Sequence, residues 1–91
     1  MTYLPCRRVA HVEVSVPEPA AYVARVPDGL PVVLHGPAAL IWQAVIQEPS
    51  PDAAAVLRRV SARAGVPAGE IQDDVDSFLA RLVEDGYLEV V

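Results

Sequence analysis

Apolar residues change their spacing once along this chain, at Gly36-Pro37, and the change divides it into a strand-forming part and a helix-forming part. Before that point, Val9 to Val16 reads Val-Ala-His-Val-Glu-Val-Ser-Val, with Val12, Val14 and Val16 on one side and His11, Glu13 and Ser15 on the other. A period of two is that of a half-buried strand, and His11 reads as a solvated strand residue. Pro17-Glu18-Pro19 interrupts, and Tyr22 to Val26 forms a second β-rich run that closes on Pro27-Asp28-Gly29. Proline presets φ there and glycine accepts a positive φ, as a hairpin turn requires. The third run, Pro31-Val32-Val33-Leu34-His35, opens on a residue with no N–H to give a ladder, which places it at a strand start or a sheet edge. The simplest assembly is a three-stranded meander with the third strand outermost.

From Pro37 onward the period is helical. Leu40, Ile41, Ala44 and Val45 recur on one side of a short helix that Glu48-Pro49 closes. Ser50-Pro51-Asp52 reads as an N-cap, a proline at the first helical position and an acid in the first turn. Ala53, Val56, Leu57 and Val60 follow as an apolar stripe, with Gly65 where a C-terminal cap belongs. After Val66-Pro67 a third helix runs to about Asp85, with Ile71, Val75, Phe78, Leu79 and Leu82 inward and Gly86 as its stop. Tyr87 to Val91 is a last short strand or an extended tail.

Composition then excludes whole classes of function. A chain of 91 residues, 53% of them hydrophobic, supports one core and no deep enclosed cleft. We treat residues 1–91 as a single domain, with residues 1–8 as a mobile arm. A single cysteine, Cys6, leaves no internal disulfide and no zinc finger, and the expected compartment is the cytoplasm. His11, Glu13 and Ser15 break what an export signal would need as a continuous apolar run. No segment approaches the ~18 apolar residues of a membrane span. The net charge of −5 is unevenly placed: residues 1–36 sum to zero, and residues 37–91 carry four Arg against nine acids.

Catalytic patterns are missing from the sequence: no nucleophile elbow, no phosphate-binding glycine loop and no His-Glu helix motif. Cys6, His11 and His35 sit on separate segments, so a metal site is not expected, nor is a cofactor. Asp73, Asp74 and Asp76 fan out at ~100° per residue around a helix and read as a solvated face. Trp42 reads as a core anchor. The stretch from Leu57 to Leu82, with Ala62 ahead of Gly65 and an apolar Val66 after it, has helix-turn-helix spacing. A DNA-reading helix needs Arg, Lys, Asn or Gln toward the duplex. Here the second of the two helices offers Glu70, Asp73, Asp74, Asp76, Glu84 and Asp85 against Arg81, so nucleic acid is not the expected partner. Arg58, Arg59 and Arg63 read as balancing nearby acids and covering apolar surface with their stems.

Three strands, a helix reading Gly-Pro-Ala-Ala-Leu-Ile-Trp, a helix opening after Ser-Pro, and the ending Asp-Asp-Val-Asp-Ser-Phe-Leu-Ala-Arg-Leu-Val-Glu-Asp-Gly-Tyr-Leu together resemble the PqqD-like family. The resemblance runs from Val9 to Val91. Members are the recognition elements of pathways that modify ribosomally made peptides. The resemblance implies an α+β fold, a winged helix-turn-helix with an N-terminal three-stranded antiparallel sheet followed by three helices. It also implies a non-catalytic role. The leader of a precursor peptide would add as a strand to the third strand and pack against the third helix. On that implication Pro31, Val32, Val33, Leu34 and His35 supply the edge, and Asp74, Val75, Phe78 and Arg81 the helical wall. The likeness is greatest to stand-alone lasso-peptide leader-binding proteins, which implies a leader peptidase and a lasso cyclase as partners and no membrane. A pyrroloquinoline-quinone-type peptide chaperone and a winged-helix transcription regulator are the alternatives. Two features depart from the family: the second strand lacks a longer charged hairpin, and Val66-Pro67 stands where an acid usually precedes the proline. An exposed edge strand independently asks for a cover, and a peptide strand is one. The N-terminal segment Met1 to Arg8 is the other candidate for that cover.

Overall fold

A computed structural model of the chain describes residues 1–14, 18–26 and 29–91. The described residues form β1 (Tyr3–Pro5), β2 (Val9–Val14), β3 (Ala20–Arg25), β4 (Val32–His35), α1 (Pro37–Gln47), α2 (Ala53–Ala64), α3 (Ala68–Glu84) and β5 (Leu88–Val90). This is an α+β arrangement with two antiparallel sheets, β2-β3-β4 and β1-β5. The expected extension of the first strand to Val16, its break at Pro17 and the turn at Pro27-Asp28 lie outside the described residues.

Helix α1 is the hub. Between Pro37 and Gln47 it carries no charged residue, and Ala39, Ile41, Trp42, Gln43, Ala44 and Val45 are all buried. A helix apolar on every side has to be covered on every side, and α1 packs against α2, α3, β1, β3 and β4. Around it gather Val56 and Val60 of α2, Val75, Leu79 and Leu82 of α3, Ala21, Val23 and Leu34 of the sheet, and Leu88 of β5. Gly36 enters the helix at φ 55°, ψ −130°, a backbone conformation that a side chain would make strained.

The caps of α2 differ from expectation at one residue. Asp52, not Ser50, is the N-cap, its Oδ1 accepting from the Ala55 N–H at 2.8 Å, so Pro51 lies before the helix instead of inside it. Gly65 closes α2 at φ 72°. The Ser61 hydroxyl bonds to the Val66 carbonyl, a tie across the turn that periodicity does not reveal. Helix α3 starts after Pro67 with no side-chain cap.

Strand β2 is where the sequence expectation fails. His11 and Glu13 face the core and Val12 is 60% exposed, the reverse of a solvated His11. The cause is Trp42. Its ring is fully buried, and its indole N–H donates to Glu13 Oε1 at 3.2 Å. His11 Nδ1 lies 2.6 Å from the same oxygen, and the two rings meet edge to face at 5.6 Å. A buried N–H without an acceptor costs about 1–3 kcal/mol, a cost that this orientation of β2 avoids.

The N-terminal segment also departs from the expected mobile arm. Tyr3–Pro5 pairs with Leu88–Val90, and Thr2 and Val91 exchange two backbone hydrogen bonds at 3.0 and 2.9 Å. The segment therefore covers β5, on the other sheet, and leaves β4 alone.

Two measurements check these assignments by urea unfolding. Asp52→Ala should lose about 1 kcal/mol while Ser50→Ala changes stability by less than about 0.5 kcal/mol. Glu13→Leu, which strands the indole N–H, should lose about 1–3 kcal/mol. Val12→Ser on the opposite face should move stability by no more than about 0.5 kcal/mol.

Candidate functional site

The sheet ends at β4. Among the described residues no strand pairs with its outer side. The register pairs Val32 with Val23, Val33 with Tyr22, Leu34 with Ala21 and His35 with Ala20. Which β4 groups are left free follows from two hydrogen bonds. Gly36 N–H donates to the Pro19 carbonyl, so the pair 36 and 19 is hydrogen-bonded. Antiparallel pairs alternate between bonded and unbonded, so Leu34 and Val32 bond to β3 while the N–H and C=O of Val33 and His35 point away from the sheet. The other side of β3 agrees: Val26 N–H donates to the Arg8 carbonyl at 2.7 Å, and counting back in twos gives Ala24, Tyr22 and Ala20 to β2. A central strand must alternate its partners in this way.

Side chains divide with the same period. Leu34 is only 9% exposed and belongs to the core, whereas Val32 and Val33 are 40% and 41% exposed, and Pro31 and His35 are exposed as well. The edge therefore offers two outward backbone pairs between apolar side chains and carries no formal charge at neutral His35.

On α3 the sequence-derived residues separate in the same manner. Val75, 2% exposed, is core. Phe78 is half-buried, while Asp74 and Arg81 are exposed. At ~100° per residue Ile71, Asp74, Phe78 and Arg81 share one side of the helix, bordering the buried row of Val75, Leu79 and Leu82. Half-buried Ile71 belongs to that border as much as Phe78 does. Counting it with the core hid it in the sequence. Both β4 and α3 rest against α1.

The rest of the surface of α3 is acidic: Glu70, Asp73, Asp74, Asp76 and Glu84 are all exposed. Such a helix repels a phosphate backbone. Three of the seven arginines are on α2, where Arg59 meets Glu48 of the α1 end at 2.6 Å and both Arg59 and Arg63 reach the Gln47 amide oxygen, at 3.2 and 3.4 Å. Arg59 thus does balance a neighbouring acid.

Among the described residues no three His, Cys, Asp or Glu side chains gather as a metal ion would need. No helix is long and apolar enough to cross a membrane. Half-buried Cys6 follows β1, its N–H bonded to the Tyr87 carbonyl. Burial pushes its thiol pKa up, and the Glu89 carboxylate adds to the rise. The folded chain therefore holds this proton more tightly than the unfolded chain. Two consequences should be measurable. The pH profile of alkylation by iodoacetamide should have its midpoint above the ordinary thiol value near ~8.5. Any contribution of Cys6 to stability should be complete below that pH and decline as pH rises through the folded-state pKa.

No curated protein and no solved structure matches the chain. A family model does: "Coenzyme PQQ synthesis protein D (PqqD)" matches residues 26–88, well over half of the chain, from just before β4 to the first residue of β5. The matched stretch holds the free edge, all three helices and the acidic face, and on it the chain belongs to the PqqD family, the family of recognition elements for ribosomally synthesised and post-translationally modified peptides.

Proposed function

We propose that this chain binds the leader segment of a ribosomally made precursor peptide and performs no chemistry on it. The leader adds as a fourth strand to β4, bonded to the outward N–H and C=O of Val33 and His35. Its inward side chains pack beside Val32 and against the α3 border of Asp74, Phe78 and Arg81, while Leu34 and Val75 stay in the core and act by holding the two walls in place. Within this reading α2, its Gly65 turn and α3 form the helix-turn-helix, β5 is the wing, and the chain works in the cytoplasm. The observation that carries the proposal is the unpaired outer side of a short, uncharged strand in a chain of this family. Strand addition supplies affinity through main-chain bonds and selectivity through alternate side chains.

Of the pathways that use such domains we favour lasso-peptide assembly, with hand-over of the bound precursor to a leader peptidase and a cyclase. Neighbouring genes for a short precursor, a transglutaminase-like protease and an asparagine-synthetase-like cyclase are the expected finding. A pyrroloquinoline-quinone pathway around the gene would instead favour a peptide-chaperone role in the coenzyme synthesis that the family description names.

Fluorescence anisotropy with a labelled leader from the adjacent precursor gene tests binding itself, and no signal at roughly tens of micromolar protein, about −6 to −7 kcal/mol in affinity, overturns the proposal. Val33→Pro tests the mode. Its N–H points outward, so the β3–β4 ladder keeps its bonds while the edge loses a donor and gains an obstructing ring. Leader affinity should fall at least about tenfold with thermal unfolding little changed. Unaltered affinity in a folded Val33→Pro chain rules out addition at this edge.

A further inference from the structure

A chain with a net charge of −5 gathers positive charge at one place on α2. A cavity of about 390 Å³ opens there, lined by Glu48, Ala55, Arg58, Arg59, Ala62 and Arg63. At ~100° per residue, Ala55 and Ala62 lie on one line along the helix, with Arg58 to one side of it and Arg59 and Arg63 to the other. The cavity is thus a channel along α2 with arginines on both banks.

The three guanidinium groups are not equally engaged. Arg59 is paired with Glu48 at 2.6 Å, and Glu48 is the one acid lining the channel among the described residues. Arg63 reaches only the neutral amide oxygen of Gln47, at 3.4 Å. Arg58 has no hydrogen-bond or ion-pair partner among the described residues. Both Arg58 and Arg63 are exposed. Two positive charges therefore stand without a balancing acid, although the neighbouring α3 is covered with acids.

A carboxylate takes two hydrogen bonds from one guanidinium fork, the strongest contact open to these side chains. Arg58 and Arg63 are five residues apart, ~7.5 Å along the helix axis. Carboxylates on alternate residues of an extended chain are ~6.6 Å apart, so such a pair spans both arginines. A nucleic-acid duplex carries a charge every ~1.7 Å and would bring phosphates against the acids of α3, so a polypeptide is the better fit. We propose that this channel docks an extended acidic segment of a partner protein, with Asp or Glu at alternate positions. Helix α2 packs against α1 and α3, and β4 packs against α1 and β3, so α1 stands between the channel and the sheet edge. Occupation of the channel leaves β4 free, and the inference does not rest on strand addition there.

Display selection of random dodecapeptides on the immobilised chain tests this, once peptides that also bind the Arg58→Ala, Arg63→Ala double variant are removed. Peptides held at β4 bind both proteins and are discarded by that step. Both arginines are exposed, so thermal unfolding of the variant should match that of the unaltered chain. Ala62→Glu, which sets an acid one turn from Arg58 inside the channel, replaces the double variant if it does not. The remaining peptides should carry Asp or Glu at alternate positions and bind the double variant at least about tenfold more weakly. Their affinity should fall as NaCl is raised from about 50 to about 300 mM, and it should be unchanged on Val33→Pro. Recovery of no arginine-dependent peptide, or of such peptides without acids, overturns the proposal, and so does loss of their binding on Val33→Pro. Sedimentation of the chain alone and titration with a labelled DNA duplex complete the test. Self-association or DNA binding that the double variant abolishes overturns the proposal in favour of a second copy or of nucleic acid.

Discussion

The indole N–H of Trp42 has one hydrogen bond to make, and it makes it with Glu13 in the interior of a chain that has little else polar there. That bond decides which way β2 faces. Antiparallel pairing passes the decision on residue by residue, from Glu13 to Ala21 and from Ala21 to Leu34. Reversing β2 alone would expose the Glu13 carboxylate, leave the indole N–H without its acceptor and bury Val12 in its place, so the orientation of β2 and the location of the apolar sheet surface are a single choice. The surrounding contacts reinforce it. Gln43, one residue along α1, is fully buried and donates to the Val14 and Ala20 carbonyls, tying the same helix to the ends of β2 and β3. A short uncharged helix thereby sets both the core and the display surface.

Much of this was legible before any coordinates. The change of period at Gly36-Pro37 falls at the boundary between β4 and α1, the glycines at 65 and 86 both adopt positive φ at helix ends, and the proline at 31 does precede an outermost strand. These are local signals: φ preferences and spacing act over a few residues. What could not be read is equally instructive. Alternation separates two faces of a strand and carries no sign. Val12 and Val14 make the more apolar set, yet the inward set was chosen by a tryptophan 29 positions away from its acceptor. The pairing of Tyr3–Pro5 with Leu88–Val90 joins the two extremes of the sequence and leaves no trace in either. Ser50 and Asp52 are both good caps, and only the backbone shows which one reaches the Ala55 N–H. For the site, Pro31 to His35 were legible as a surface, but the split between the buried Leu34 and its exposed neighbours needed the register.

Charge segregates with role. Acids crowd the exposed part of α3, three of the seven arginines lie on α2 near the end of α1, and strand β4 itself has neither acid nor arginine. Under the proposed binding mode, a peptide strand approaching β4 would meet main-chain dipoles and hydrocarbon on that strand, and selectivity there would come from shape and hydrogen bonding more than from long-range attraction. A helix-turn-helix spacing thus coexists with an acidic α3 surface that disfavours nucleic acid, and fold alone does not fix function.

The β1–β5 ribbon holds Thr2 and Val91 side by side, on the sheet that β4 does not belong to. A polypeptide entering at residue 1 and leaving at residue 91 does so at nearly the same point. Geometrically the unit is therefore a bead with its entrance and exit together, which a larger protein can carry within a surface loop without being pulled apart. Its free β4 edge would stay open on such a host. Joining the two ends by a short linker and cutting elsewhere would likewise preserve every strand pairing described above, so the order of the elements along the chain is less essential to this architecture than their neighbours in space.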